Sequence, residues 1–294
     1  MHNKEIFRSA RHMLPDSNTS DPACRLFIGT SGYSYPEWTA YGFYPPGTAG
    51  KDMLAHYSRR FNAIEINYTW YQMPKAFSME RMLARVPQGF AFSVKLTRTM
   101  THAVDPKNWR QEAEKFRQGI APLVQGRTLL AVLIQFGPSF ERTRENRLYL
   151  AHLIDELPGL PLAVEFRHRS WNDDRVFIGL QERKVALVAL DAPDLPQLFP
   201  TQAIVTNPDL FYVRFHGRNA KGWRTTNMQH KFDYGYSHEE LQPWSAQRIP
   251  EMAEQAKSGA IFFNNHVRGQ APQNAAMLME QLAGQGFSIK LFHK

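Results

Sequence analysis

The chain has 294 residues, 43% of them hydrophobic, which is enough to bury a sizeable core and too apolar for a disordered polymer. Lys plus Arg is 35 against Asp plus Glu 27, a formal charge of +8; this favours acidic partners, but without a Lys/Arg-rich run it is a weak argument for nucleic acid. No apolar run approaches the ~20 residues of a membrane span, no apolar leader follows Lys4, Arg8 and Arg11, and Cys24 is the one cysteine, so the expected setting is a reducing, cytoplasmic one with no membrane partner.

Residues 1–23 are polar and aperiodic and read as a loosely ordered N-terminal extension; 24–294 read as one domain. From there two patterns alternate. Short apolar or β-branched runs recur at Leu26–Gly29, Ala63–Asn67, Phe90–Lys95, Leu129–Gln135, Leu162–Phe166, Val185–Leu190, Phe211–Phe215 and Ala260–Asn264. Most are continuous rather than alternating, as parallel strands buried on both faces require. Between them, Asp52–Arg60, Ala76–Arg85, Pro106–Val124, Thr143–Leu157, Asp174–Arg183, His238–Lys257 and Gln273–Leu282 carry apolar residues at helical spacing. Asp105-Pro106 reads as an N-cap with proline at N1, and Ser237 with Glu240 as a capping box. Asp191–Pro208 holds four prolines, so a sixth helix would be short, irregular or missing. This repeated alternation predicts an α/β fold, a (β/α)8 TIM-type barrel of parallel strands.

Barrels of this kind gather their chemistry at the C-terminal ends of the strands. Those positions hold Tyr33 after strand 1, Glu65, Asn67 and Tyr71 at strand 2, Lys95 and His102 at strand 3, and Gln135 at strand 4. Strand 5 delivers Glu165, Arg167 and Trp171, strand 6 Asp191, strand 7 Arg214 and His216, and strand 8 Asn264, Asn265 and His266. Any one of them is explained by a wet barrel mouth or a structural pair. Seven strands delivering ionisable or amide groups at one end point to a small-molecule site.

Lys95, Arg167, Arg214 and His216 suit a phosphate or carboxylate. Glu65 and Glu165 either pair with those cations or move a proton. Lys95 is also placed for a Schiff base, against which stands an ordinary salt bridge to Glu65 or Glu165. Tyr33, Trp38, Tyr71, Trp171 and Trp223 offer faces to sugars or bases, or else plug the barrel end. Glu165, Asp191 and His216, joined by Glu65, are a donor set for a divalent metal. Arg167 and Arg214, two residues away on the same strand faces, oppose it, so no cofactor and no metal ligand is assigned. Cys24 precedes strand 1, at the wrong end of the barrel for a nucleophile.

Several of these stretches form motifs. They are Gly29-Thr30-Ser31-Gly32-Tyr33 with Trp38 and Phe43-Tyr44-Pro45; Glu65-Ile66-Asn67-Tyr68-Thr69-Trp70-Tyr71; Phe92-Ser93-Val94-Lys95 with Thr101-His102; and Gln135-Phe136-Gly137-Pro138. Val164-Glu165-Phe166-Arg167-His168 with Ser170-Trp171, Tyr212-Val213-Arg214-Phe215-His216-Gly217, and Phe263-Asn264-Asn265 with Asn274-Ala275 follow. In these the chain resembles the DUF72 family, the YecE-like proteins, over roughly residues 25–285. Tyr33 and Trp70 stand where the family pattern leads one to expect Trp and Phe. The resemblance implies a TIM-type barrel and supplies no reaction, since the family is one of unknown function.

The first expectation is an enzyme, an isomerase, lyase or hydrolase, acting on a small anionic metabolite, phosphorylated or sugar-like. A nucleic-acid-binding protein or metal-dependent nuclease, using Lys221-Gly222-Trp223-Arg224, is the alternative; a non-catalytic metabolite-binding protein is a third. Sequence leaves open the oligomeric state and whether residues 217–236 form a lid.

Overall fold

The computed structural model describes residues 24–292 apart from Thr226; the expected N-terminal extension, residues 1–23, lies outside the described residues. Eight strands form one parallel sheet: β1 Arg25–Thr30, β2 Ala63–Ile66, β3 Ala91–Lys95, β4 Leu129–Gln135, β5 Leu162–Glu165, β6 Ala186–Asp191, β7 Phe211–Phe215 and β8 Ser258–Phe263. Their order is β1-β8-β7-β6-β5-β4-β3-β2, so the sheet curls until β1 meets β2. All eight lie within two or three residues of the runs read from sequence. The helices are α1 Met53–Tyr57, α2 Ala76–Leu83, α3 Trp109–Gln125, α4 Arg144–Asp155, α5 Asp174–Glu182, α6 Ala220–Trp223, α7 Met228–Phe232, α8 His238–Pro243, α9 Ile249–Ala253 and α10 Gln270–Gly284; α6 and α7 lie at the barrel mouth. The fold is a (β/α)8 barrel.

Two seams interrupt the ladder. β5 and β6 pair at two positions only, Ala163 with Ala186 and Val164 with Leu187. Between β1 and β2 there is a single isolated bridge, Ser31 with Glu65. There, side chains stand in for the missing ladder. Asn62 accepts from Ile28 N at 2.8 Å and donates to Leu26 O at 2.9 Å. The Tyr57 hydroxyl accepts from Thr30 N at 2.7 Å and donates to Ala63 O at 3.0 Å. Buried backbone groups are thereby satisfied without a strand pair.

One local expectation is met in full and two are corrected. No helix forms between β6 and β7 among the described residues. Pro193, Pro196, Pro200 and Pro208 remove the donors a helix needs. Instead Thr206 Oγ1 accepts from Leu187 N and donates to Val185 O, each at 2.7 Å, and the Leu195–Phe199 stretch lies along the end of β5, with Phe199 N donating to Arg167 O. Pro106 is not at N1 of α3: a turn intervenes, Asp105 accepting from Lys107 N at 2.9 Å, and Asn108 takes the N-cap position. The stretch read as one helix over His238–Lys257 is broken. α8 gives way to a π-helical turn at Trp244–Arg248 before α9, with Pro243 and Pro250, which lack the N–H of a regular turn, at either side of it. The Ser237–Glu240 capping box is present.

Candidate functional site

Strand parity decides which polar residues face inward. Neighbouring residues in parallel register point to the same side of the sheet. Glu65 is in register with Ser93, Lys95 with Leu133, and Gln135 with Glu165. Tyr212, Arg214 and His216 alternate with the outward Phe211 and Phe215, which places all three on the inside.

An ion network forms the floor. Arg214 donates from Nη1 to Glu165 Oε2 at 2.5 Å and from Nη2 to Glu65 Oε1 at 2.7 Å. Glu65 also accepts from Ser31 Oγ and from Tyr212 OH, each at 2.6 Å. Arg167 Nη2 lies 2.5 Å from Glu165 Oε1 and 3.0 Å from His216 Nε2. Asn264 Nδ2 meets the other ring nitrogen of His216 at 3.1 Å. Glu65, Glu165, Arg214 and His216 are almost wholly buried. Burial would raise the Glu165 carboxyl, but Arg167, Arg214 and His216 hold it well below the usual carboxylate range. Burial and the adjacent Arg167 push His216 well below the usual imidazole value, so its ring is neutral.

Above the floor lies a cavity of about 650 Å³. Lys95, Arg167, Arg214 and Lys231 line it, with His102 and His266, and no Asp or Glu is among the described lining residues. Asn67, Gln135 and Asn264 add amides; Tyr35, Trp70, Tyr71, Trp223 and Phe232 add aromatic faces. Arg167 Nε and Nη1 and Asn67 Oδ1 are buried without a hydrogen-bond partner. Such groups are costly unless a ligand or water meets them. Lys95 is lowered to about 7, by burial first and by Arg214 next, against the pull of Glu165 and Glu65. Lys231 falls to about 8 through burial and Arg167. His102, at the rim, falls to about 4 through partial burial, Lys95 and Arg167.

Not every residue expected here arrives. Asp191 is in register with the outward Phe215 and leaves the barrel interior. Its carboxylate accepts from Arg218 at 2.8 and 2.6 Å, Tyr236 OH at 2.7 Å and Trp244 Nε1 at 2.7 Å. The Glu165–Asp191–His216 metal set is therefore not assembled, and no group of three potential metal ligands occurs among the described residues. Asn265 also faces outward, donating to Tyr234 O and Asn274 Oδ1 at 2.7 and 2.9 Å. Trp171 is buried beside Phe166, ring centroids 4.4 Å apart, and donates to Phe140 O, so it packs the barrel wall rather than the mouth. Tyr33 lines a smaller neighbouring cavity with Lys75, Arg81 and Arg85.

Sequence reading missed Tyr35, Gln229, Lys231 and Phe232, all of which line the cavity. Lys231 and Phe232 come from α7, inside a loop whose path no periodicity reveals. Arg167 and Lys231 both meet the Trp223 ring: the guanidinium carbon is 5.0 Å and the Lys231 ammonium 4.2 Å from it, both cation–π contacts.

Fold and cavity together define a parallel (β/α)8 barrel with a cationic pocket at the C-terminal ends of its strands. Residues 27–291 match the family described as "Protein of unknown function DUF72", and the chain belongs to that family. It is 28% identical over 275 residues to the UPF0759 protein YunF of Bacillus subtilis, covering 87% of this chain and 94% of that one. The UPF0759 protein YecE of Escherichia coli is 29% identical over 175 residues, 57% of this chain and 59% of YecE. A DUF72 family crystal structure from Thermotoga maritima superposes with a TM-score of 0.80 at 34% identity, covering 88% of this chain and 99% of that chain. One from Enterococcus faecalis gives 0.81 at 26%, covering 92% and 98%. No described helix is long and apolar enough to cross a membrane.

Proposed function

We propose that this protein is an enzyme acting on a small anionic metabolite, phosphorylated or carboxylated and sugar-like, at the barrel mouth. The observation that carries this reading is the charge of the cavity wall: four cationic side chains line it, and no described acid does. Glu65 and Glu165 lie beneath, engaged by Arg214 and Arg167. The outer edge of Arg167, Lys95 and Lys231 are left for a ligand. An arginine fork and two point charges suit a phosphate or carboxylate group. The volume exceeds what an anion alone fills and matches a small organic ligand. Asn67, Gln135 and Asn264 supply the hydrogen bonds that would orient hydroxyls.

Lys95, lowered to about 7, is the group suited to proton transfer near neutral pH. This revises the sequence expectation for the two glutamates and His216. Ionised Glu165 and neutral His216, both under the cavity floor, fit the role of holding Arg167 and Arg214 in place.

The test is calorimetry at low ionic strength with sugar phosphates, sugar acids, matched neutral sugars and single-stranded oligonucleotides. Small anions should bind saturably, and Arg167→Gln should weaken them roughly tenfold or more, the size of one lost charge-assisted contact. Binding of neutral sugars but not anions would overturn the reading. Preference for oligonucleotides, with steep salt dependence, would replace it with nucleic-acid binding.

A further inference from the structure

We propose that Lys95 is a nucleophile that forms an imine with the carbonyl carbon of its anionic substrate, which makes the substrate class an aldehyde or ketone bearing phosphate or carboxylate. This rests on the anion-site reading above and deepens it.

The placement of Lys95 argues for it. The residue ends β3 on the inner face, and its ammonium group reaches the cavity. The ordinary role of a strand-end lysine is a salt bridge, and here that role is not filled. Glu65 is taken by Arg214, Ser31 and Tyr212, and Glu165 by Arg214 and Arg167. The Lys95 ammonium group makes no hydrogen bond or ion pair among the described residues; it stands over the Trp70 ring, whose centroid is 5.4 Å from Nζ. Its low proton affinity, about 7, gives it at neutral pH about a thousandfold larger free-amine fraction than an exposed lysine. Lys231 faces the same cavity, but it sits directly over Trp223 at 4.2 Å and suits a charge clamp.

A proton-handling group is adjacent. The Trp70 indole can only donate, and it donates to His102 Nδ1 at 3.3 Å. The Thr101 hydroxyl lies 2.9 Å from the same nitrogen; with Nδ1 accepting from the indole, the proton of the neutral ring is assigned to Nε2. Gly137 keeps that side open: a Cβ there would stand 3.4 Å from Nε2 and 3.2 Å from Cδ2.

The step balances as follows. The free amine of Lys95 attacks the carbonyl carbon, a C–N bond forms, and the carbonyl π electrons move to oxygen. One amine proton passes to that oxygen, giving a carbinolamine. A proton taken up from solvent lets the hydroxyl leave as water, and a protonated imine remains. Lys231 and Arg167 hold the anionic end throughout.

Glyoxylate and glycolaldehyde phosphate are the probes, with sodium cyanoborohydride as reductant. Hydride adds to the imine carbon and makes the adduct permanent, and peptide mass spectrometry locates it. Wild-type protein should be labelled at Lys95 roughly tenfold or more faster than at any other lysine, the free-amine advantage being partly offset by lower intrinsic nucleophilicity. The rate should rise with pH through about 7, following the Lys95 value. Inorganic phosphate should slow it by competition. Calorimetry with the same probes, without reductant, is run on wild type and on Lys95→Arg, which keeps the charge and forms no imine at neutral pH. Probe binding without Lys95 labelling, or labelling led by Lys231, would overturn the imine and leave the anion site standing. Neither binding nor labelling would overturn both.

Discussion

At the scale of single residues, Arg214 sets the character of the site. It is buried, and both its partners are buried acids from other strands. Removing one member of such a group leaves charges with neither water nor partner, which costs about 3–5 kcal/mol. Arg214→Met should therefore lose stability on that order in denaturant unfolding, and adding Glu65→Gln and Glu165→Gln should recover much of it. The titration behaviour is set here too. Unfolded histidine binds a proton below about 6.5, whereas folded His216 resists protonation. The unfolded chain therefore binds more protons as pH falls below that value, and stability declines. Lys95 acts in a second window. Its folded value is about 7 against about 10.4 unfolded, so the unfolded chain again binds more protons between those limits and stability rises with pH across them. Melting curves should show both slopes, and Lys95→Met should flatten the upper one.

At the scale of elements, the sequence made the strands legible because each is a continuous apolar run ending in a polar group. It did not make strand parity legible at every end. Asp191 stands at the end of β6, as Arg214 stands near the end of β7, yet register with Phe215 turns Asp191 outward. Register is a property of two strands, and one run of residues does not contain it. The same limit hid Lys231 and Phe232, whose place in the cavity wall depends on how the segment after β7 folds back. Gly29 was visible as part of a motif, but its reason is a close approach. A Cβ there would lie 2.0 Å from Ala63 O and 2.5 Å from the Tyr57 hydroxyl, in the seam that Tyr57 fills. Gly29→Ala should cost about 1–3 kcal/mol or more through overpacking. Gly179→Ala in α5, where nothing lies within 4 Å, should instead stabilise by about 0.5–1 kcal/mol. Paired melting curves would check the contrast.

At the scale of the whole molecule, the ion network ties together what the ladder leaves loose. The seams fall between β1 and β2 and between β5 and β6. Arg214, on β7, reaches Glu65 on β2 and Glu165 on β5, so one guanidinium spans both gaps beneath the cavity. The site and the closure of the barrel thus share their charged residues.

The seam at β1 also bears on how the chain is made. β1 is ladder-bonded to β8 over six positions, Arg25 with Ser258 through Thr30 with Phe263, and to its neighbour in sequence hardly at all. The first strand of the barrel to be made therefore waits for the eighth. Until Ser258–Phe263 has emerged, Leu26 and Ile28 have no ladder to join, and the nascent barrel stands open along one side. Pairing across so long a stretch of chain is slow to find, so the growing polypeptide carries an unfilled edge until the eighth strand is made.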